Sequence, residues 1–126
     1  MRYFYDSIVL LLFGLGLVTI VDVIGSIVSR RLKFKYGYFA ILSIVVYTTI
    51  GFLMAEKTNS ALLTMIVAML MGLYDAIVGW EISQKLKANY GYSKELLDKV
   101  TIAHRIFVSN LYAIISGFLG YYFASL

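Results

Sequence analysis

The stretch SIVLLLFGLGLVTIVDVIGSIVSRRLKFKYGY, residues 7–38, decides the fold of this chain. Its apolar part, residues 7–28, carries one charge, that of Asp22, and a cluster of basic residues follows at once. A helix rises about 1.5 Å per residue and must cross about 30 Å of hydrocarbon, so it needs roughly 20 apolar residues. Residues 7–28 are therefore predicted to form a transmembrane helix.

The composition of the whole chain agrees with a membrane location. Of its 126 residues, 61% are apolar and 14% are charged, whereas soluble domains carry about half apolar and about a quarter charged residues. Three further runs are long enough to cross a bilayer, namely residues 38–55, 60–80 and 106–126. The predicted fold class is an all-α membrane protein with four transmembrane helices, in a single domain that covers residues 1–126.

Several classes of activity lack the residues that they need. The chain has no cysteine and one histidine, which excludes disulfides, cysteine metal sites and multi-histidine metal sites. No metalloprotease, nucleophile-elbow or phosphate-loop motif is present. We therefore predict no enzymatic activity, no cofactor and no metal. The net charge is +4, but the basic residues flank apolar spans, so lipid headgroups and not nucleic acid are the expected partners.

The basic residues also predict the orientation in the membrane. Of 11 Lys and Arg residues, four lie in residues 29–37 and five in residues 83–105, against only Arg2 and Lys57 on the other side. Cytoplasmic loops carry the excess of Lys and Arg. Both termini are thus predicted to lie outside, with the basic loops 29–37 and 83–105 in the cytoplasm, in a bacterial-type plasma membrane.

One basic, aromatic phrase occurs twice. SRRLKFKYGY, residues 29–38, is followed 54 residues later by SQKLKANYGY, residues 83–92. Gly25 and Gly79 are also 54 residues apart, and an aspartate precedes each glycine on the same helix face, Asp22 or Asp75. The simplest interpretation is a duplicated helical hairpin, residues 1–55 and 60–126, with both copies in parallel orientation about a pseudo-two-fold axis. A chance match in a biased composition is the alternative.

The second half contains a segment without a counterpart, residues 93–104. Ser93 is placed to cap a helix that begins at Lys94 and runs unbroken into the fourth span. A separate amphipathic helix on the inner leaflet is the alternative.

Asp22 and Asp75 are the sharpest candidates for function. Each lies within a span, where exposure of a charge to lipid costs about 3 kcal/mol, so both must face protein or water. They are predicted to bind a proton, an ion or a substrate near the pseudo-two-fold axis, or else to make structural hydrogen bonds between helices. Further binding candidates are Tyr47, Tyr74, Asn110 and Tyr112, and interfacial candidates are Glu81, His104 and Arg105.

Small residues at helical spacing predict close helix packing. They include Ala68, Gly72 and Gly79 on the third span, and Ser109, Ala113, Ser116, Gly117, Gly120 and Ala124 on the fourth. Such faces let helices approach closely, and we expect them to support self-association as a homodimer. The leading hypothesis is a homo-oligomeric transporter or channel-like protein. The alternative is a non-transporting accessory, scaffold or sensor subunit whose cytoplasmic loops bind a protein partner.

Overall fold

The computed structural model describes residues 2–33, 35–87 and 99–126. This part of the chain contains four long helices, no β-strand, and a short 3-10 turn at Tyr36–Phe39. The helices are α1 (Arg2–Leu32), α2 (Ala40–Thr58), α3 (Ala61–Lys85) and α4 (Ile102–Ala124). Each is long and apolar enough to span a membrane, which confirms the all-α class and the four candidate spans.

Three of the helices are longer than their apolar runs. Helix α1 continues to Leu32, α3 continues to Lys85, and α4 begins at Ile102. An apolar run ends at the first charge, but helical hydrogen bonding continues through charged residues once the helix has formed. Helix α1 is followed by Lys33 at φ 59°, and Lys87 after α3 has φ 56°, so each of these helices ends at a left-handed lysine.

The start of α4 differs from the prediction. Thr101 has an extended backbone, with ψ 156°, and its hydroxyl accepts a hydrogen bond from the His104 N–H at 3.1 Å. This is an N-cap, which satisfies a donor of the first helical turn. The prediction of a helix that runs unbroken from Lys94 into the span is therefore wrong. Residues 88–98, with Ser93 and Lys94, lie outside the described residues.

Helices α2 and α3 are joined by a tight turn. Asn59 ends α2 in the left-handed conformation, at φ 48°, and its N–H donates to the Ala55 carbonyl. Ser60 then caps α3 by accepting a hydrogen bond from the Leu63 N–H at 3.2 Å. We call this end of the bundle, which also holds both chain termini, the terminal end. The opposite end, where α1 and α3 finish, is the loop end.

Helices α2 and α4 touch at their backbones. A Cβ atom added to Gly51 would overlap the carbonyl group of Gly117, and one added to Gly120 would overlap the carbonyl of Thr48. The small residues of α4 face this contact, and those buried are Ala113, Ser116, Gly117 and Gly120. They fill the interior of one protomer and are not on its surface, so they do not form the face that was predicted for self-association.

The close contact between α2 and α4 predicts that a substitution at Gly51 destabilises the bundle. Gly51→Ala should lower the free energy of unfolding by about 1–3 kcal/mol, because the new methyl group meets backbone that has no freedom to move aside. Thermal unfolding in detergent, followed by circular dichroism, measures this effect. Gly16→Ala is the matched control, since its added Cβ has no neighbour within 4 Å and alanine favours helix. Equal stability of the two variants would contradict the close contact.

Candidate functional site

The structure brings Asp22 of α1 and Asp75 of α3 into direct contact. The two carboxyl groups lie side by side next to Gly79. Both also reach the space above Gly79, where an added Cβ would overlap Asp75 Oδ1 and Asp22 Oδ2. Asp22 is buried, with 4% of its surface exposed. The absence of a side chain at Gly79 thus makes the room in which the aspartate pair meets.

The contact restricts the charge of the pair. An ionised carboxylate only accepts hydrogen bonds, so a hydrogen bond between two carboxyls needs a proton on one of them. Two neighbouring negative charges also repel each other strongly where water is scarce. Two carboxyls at this distance favour a shared proton on one of them, or a cation between them, over two bare negative charges. Such an arrangement is chemically suited to exchange one ion for another.

A π-helical turn, Asp75–Gly79, positions the second aspartate. The Trp80 N–H donates to the Asp75 carbonyl five residues earlier, so this turn contains one residue more than an α-helical turn. Asp75 precedes Gly79 by four residues, whereas Asp22 precedes Gly25 by three within regular α-helix. The wider π turn accommodates the one additional residue between the aspartate and the glycine of α3. Asp75 consequently stays close to the face that carries Gly79. Single π turns are frequent at functional sites.

Hydroxyl groups surround the pair on α1 and α2. Tyr47 is buried, and its hydroxyl donates to Asp75 Oδ2 at 3.4 Å, a long hydrogen bond. The Ser26 hydroxyl donates to the backbone carbonyl of Asp22 at 2.6 Å. Tyr74 is bound elsewhere, since its hydroxyl lies 2.6 Å from Thr19 Oγ1. Of these two tyrosine candidates, Tyr47 contacts the pair and Tyr74 contacts Thr19.

Two cavities meet at the aspartate pair. The first, of about 290 Å³, lies among α1, α3 and α4, and we call it the arginine cavity. Its polar lining consists of Asp22, Asp75, Trp80, Ser83, His104, Arg105 and Ser109. The second, of about 190 Å³, lies among α1, α2 and α4, and we call it the tyrosine cavity. Its polar lining consists of Asp22, Asp75, Ser43, Tyr47, Ser109 and Tyr112.

The bundle is packed on the other side of the pair. Beyond Tyr47, toward the terminal end, the gap beside Gly51 and Gly117 measures only about 10 Å³. Met54 and Met71 fill this region and have at most 1% of their surface exposed. The aspartate pair therefore lies between the two cavities of the loop end and a tightly packed layer in the middle of the bundle.

The remaining candidates separate into two groups. Arg105 and His104, predicted to be interfacial, line the arginine cavity, and Tyr112, which is half exposed, lines the tyrosine cavity. Glu81 is exposed and lines neither cavity. Asn110 also lies outside both cavities. Its buried Oδ1 faces Gly72 and has no hydrogen-bond partner among the described residues.

Sequence reasoning missed several residues of the site, above all Trp80 and Ser83. Trp80 was not predicted as a site residue, yet the Arg105 guanidinium carbon lies 4.8 Å from its ring centroid. Ser83 was noted only as part of the repeated phrase. Ser83 follows Asp75 by eight residues, about two helical turns, so helical spacing would have placed it near the same side of α3. Trp80 follows by five residues, a spacing that brings it to this side only because the turn between them is π-helical.

Neither a metal cluster nor a similar protein identifies the site. In residues 2–33, 35–87 and 99–126, no group of three His, Cys, Asp or Glu side chains is placed to hold a metal ion. Comparison with protein-family models, curated proteins and solved structures finds no match for the chain. Function must therefore be argued from the geometry of the aspartate pair and its cavities.

The proton that the aspartate pair shares should be visible by infrared spectroscopy. A protonated carboxyl absorbs at a frequency well separated from that of an ionised carboxylate. In buffer without added metal ions, the protein should show this band, and the double variant Asp22→Asn with Asp75→Asn should remove it, because no carboxyl then remains at the site. Either single change, in contrast, leaves one buried carboxyl that burial keeps protonated. Glu81→Gln is the matched control and should leave the band in place. A band that survives both asparagine substitutions would show that the pair holds no proton.

Proposed function

We propose that this protein is a small multi-pass membrane transporter or channel-like protein that binds a proton or another cation at Asp22 and Asp75. One observation carries the proposal, namely the position of two touching carboxyls where two cavities meet inside an apolar bundle. A cation that enters either cavity reaches the same pair. The expected absence of enzymatic activity is part of this proposal.

The free-energy cost of placing two acidic residues inside apolar spans supports a role beyond packing. Each charged residue within a span costs about 3 kcal/mol if lipid surrounds it. Neutral hydroxyls such as that of Thr19, which meets Tyr74 at 2.6 Å, connect the same two helices without that cost. Two acidic groups in contact add their mutual repulsion. A pair that is unfavourable for packing and open to two cavities is best explained by ion binding.

Access from one end alone favours a transporter over an open channel. The cavities lie toward the loop end, and the backbone contact of Gly51 with Gly117 and the packed side chains of Met54 and Met71 close the terminal end. A transporter exposes its site to one side at a time. Release at the terminal end then requires that α2 and α4 move relative to α1 and α3.

Equivalent positions in the two halves support the duplicated hairpin in parallel orientation. Ser29 and Ser83 are both buried, and each hydroxyl donates to the carbonyl three residues earlier. Lys33 and Lys87, also 54 residues apart, share the left-handed conformation. Gly51 and Gly117, each of which is followed by Phe-Leu in the sequence, touch each other. Contact between equivalent residues is expected at a two-fold axis, and the same argument applies to Asp22 and Asp75.

The orientation, membrane and assembly belong to the same proposal. The loop end, with the basic residues, lies in the cytoplasm of a bacterial-type plasma membrane, and both termini lie outside. The cavities then open toward the cytoplasm. The protein works as a homo-oligomer, whose contacts use surfaces other than the buried small residues of α4. The alternative function, an accessory or sensor subunit with a protein partner at the basic loops, is distinguished by the flux experiment.

Flux through liposomes tests the proposed function. Protein reconstituted with a trapped pH dye should carry protons when a potassium gradient with valinomycin imposes a membrane potential, and a trapped sodium dye tests that cation in parallel. Asp22→Asn and Asp75→Asn should reduce the flux at least about tenfold, because no carboxyl pair remains to exchange the ion.

Glu81→Gln, an exposed acid on the same helix as Asp75, is the matched control and should keep wild-type flux. Unfolding temperatures of all variants in detergent show whether the bundle is intact. A wild-type protein that carries neither protons nor sodium ions would favour the accessory-subunit alternative.

Thiol labelling tests the orientation, since the natural chain has no cysteine. Lys57→Cys and Ser125→Cys, both exposed at the terminal end, should react with a membrane-impermeant maleimide in intact cells. Leu32→Cys and Lys85→Cys, exposed at the loop end, should react only after the membrane is permeabilised. The reverse pattern would place the cavities on the outside.

A further inference from the structure

The arginine cavity has opposite charges at its two ends. Asp22 and Asp75 close its inner end, and Arg105 lines it nearer the loop end, beside the exposed His104. Between them the wall contains Trp80 and the small residues Ala76 and Gly79. With one proton on the aspartate pair, the cavity carries one negative charge and one positive charge.

Arg105 is held in a way that leaves its hydrogen-bonding capacity available. The guanidinium stacks over the Trp80 ring at 4.8 Å, which orients it by a cation–π contact. Its Nε atom is buried and has no hydrogen-bond partner, and no ion pair neutralises the side chain within the described residues. A buried donor without a partner is costly, and a guanidinium is suited to bind a carboxylate with two parallel hydrogen bonds.

We propose that the arginine cavity binds a small zwitterion, with its ammonium group at Asp22 and Asp75 and its carboxylate at Arg105. This inference rests on the proposed function, because it names the substrate class of the same site. A neutral molecule with two charged ends satisfies both ends of the cavity at once. A simple cation leaves Arg105 without a partner, and a simple anion meets the negative charge of the aspartate pair.

Helix geometry limits the length of the ligand. Ser109 lines both cavities together with the aspartates and so marks their level on α4. Arg105 lies four residues before Ser109, which corresponds to about 6 Å along the helix axis. A linear amino acid with its two charged groups at opposite ends of a four- to six-carbon chain spans such a distance. The volume of about 290 Å³ accommodates a molecule of this size.

Trp80 provides a direct measurement of binding that does not depend on transport, because it is the only tryptophan in the chain. The full chain in detergent or nanodiscs is titrated with 5-aminopentanoate, pentylamine and pentanoate, which share one carbon skeleton. We expect 5-aminopentanoate to change Trp80 fluorescence saturably, with half-saturation at a concentration at least about tenfold lower than for pentylamine. Pentanoate should produce no saturable change.

Variants connect each end of the ligand to its partner. Arg105→Gln should weaken the binding of 5-aminopentanoate about tenfold or more, to the level of pentylamine, while leaving pentylamine unaffected. Asp75→Asn should weaken both amines. Lys85→Gln is the matched control, an exposed basic residue on α3 that lies outside the cavity, and it should change neither titration. Arg105→Lys, which keeps the charge but loses the planar fork, should fall between the wild type and Arg105→Gln.

Two results would overturn the inference. The first is equal binding of pentylamine and 5-aminopentanoate by the wild type, which would make the ligand a simple cation. The second is the absence of any saturable change with all three compounds, confirmed by calorimetry. Either result leaves the proposed function to be decided by the liposome flux. Conversely, saturable zwitterion binding without liposome flux of protons, of sodium ions or of radiolabelled 5-aminopentanoate itself would retain this site and reject transport.

Discussion

The contact between Asp22 and Asp75 constrains the rest of the bundle, because two acidic groups within apolar spans need both room and a counter-charge. Gly79 supplies the room by having no side chain where the carboxyls meet. The π turn places Asp75 on the face that reaches Asp22, and Tyr47 donates to it from α2. A shared proton or a bound cation would relieve the repulsion between the two carboxyls. The chemistry of the site thus follows from its packing.

Helix packing divides the bundle into a solid half and a hollow half. Gly51, Gly117 and Gly120 let α2 and α4 touch at their backbones, so only about 10 Å³ of empty volume remains beside Gly51 and Gly117. Toward the loop end, larger side chains such as Trp80 and Arg105 hold α3 and α4 apart. Lipid provides no hydrophobic force between helices, so small residues decide where helices meet closely. The position of these glycines in α2 and α4 therefore decides on which side of the aspartates the cavities form.

The sequence predicted features that depend on the residue type alone, such as spans and buried charges. It did not predict features that depend on which residues become neighbours in the folded bundle. The spans were recognisable from hydropathy, and Asp22 and Asp75 stood out because charges are costly in a span. The beginning of α4 was misplaced, because the helix that enters the bundle is capped by Thr101, which had not been recognised as a cap. Arg105 was assigned to the interface, since nothing local indicates that its guanidinium turns toward a cavity and stacks on Trp80.

Hydropathy and helix length alone determined the number of spans, and charge placement alone predicted their orientation, because both depend on transfer of each residue between water and lipid. Only the tertiary structure decided which polar residues meet. Asp22 and Asp75 are far apart in the chain and become neighbours through the packing of α1 against α3, whereas Asn110, a further binding candidate by sequence, turns toward Gly72. Contacts between helices depend on the rotation of each helix about its axis. Small residues such as Gly79 set this rotation through packing, whereas hydropathy does not specify it.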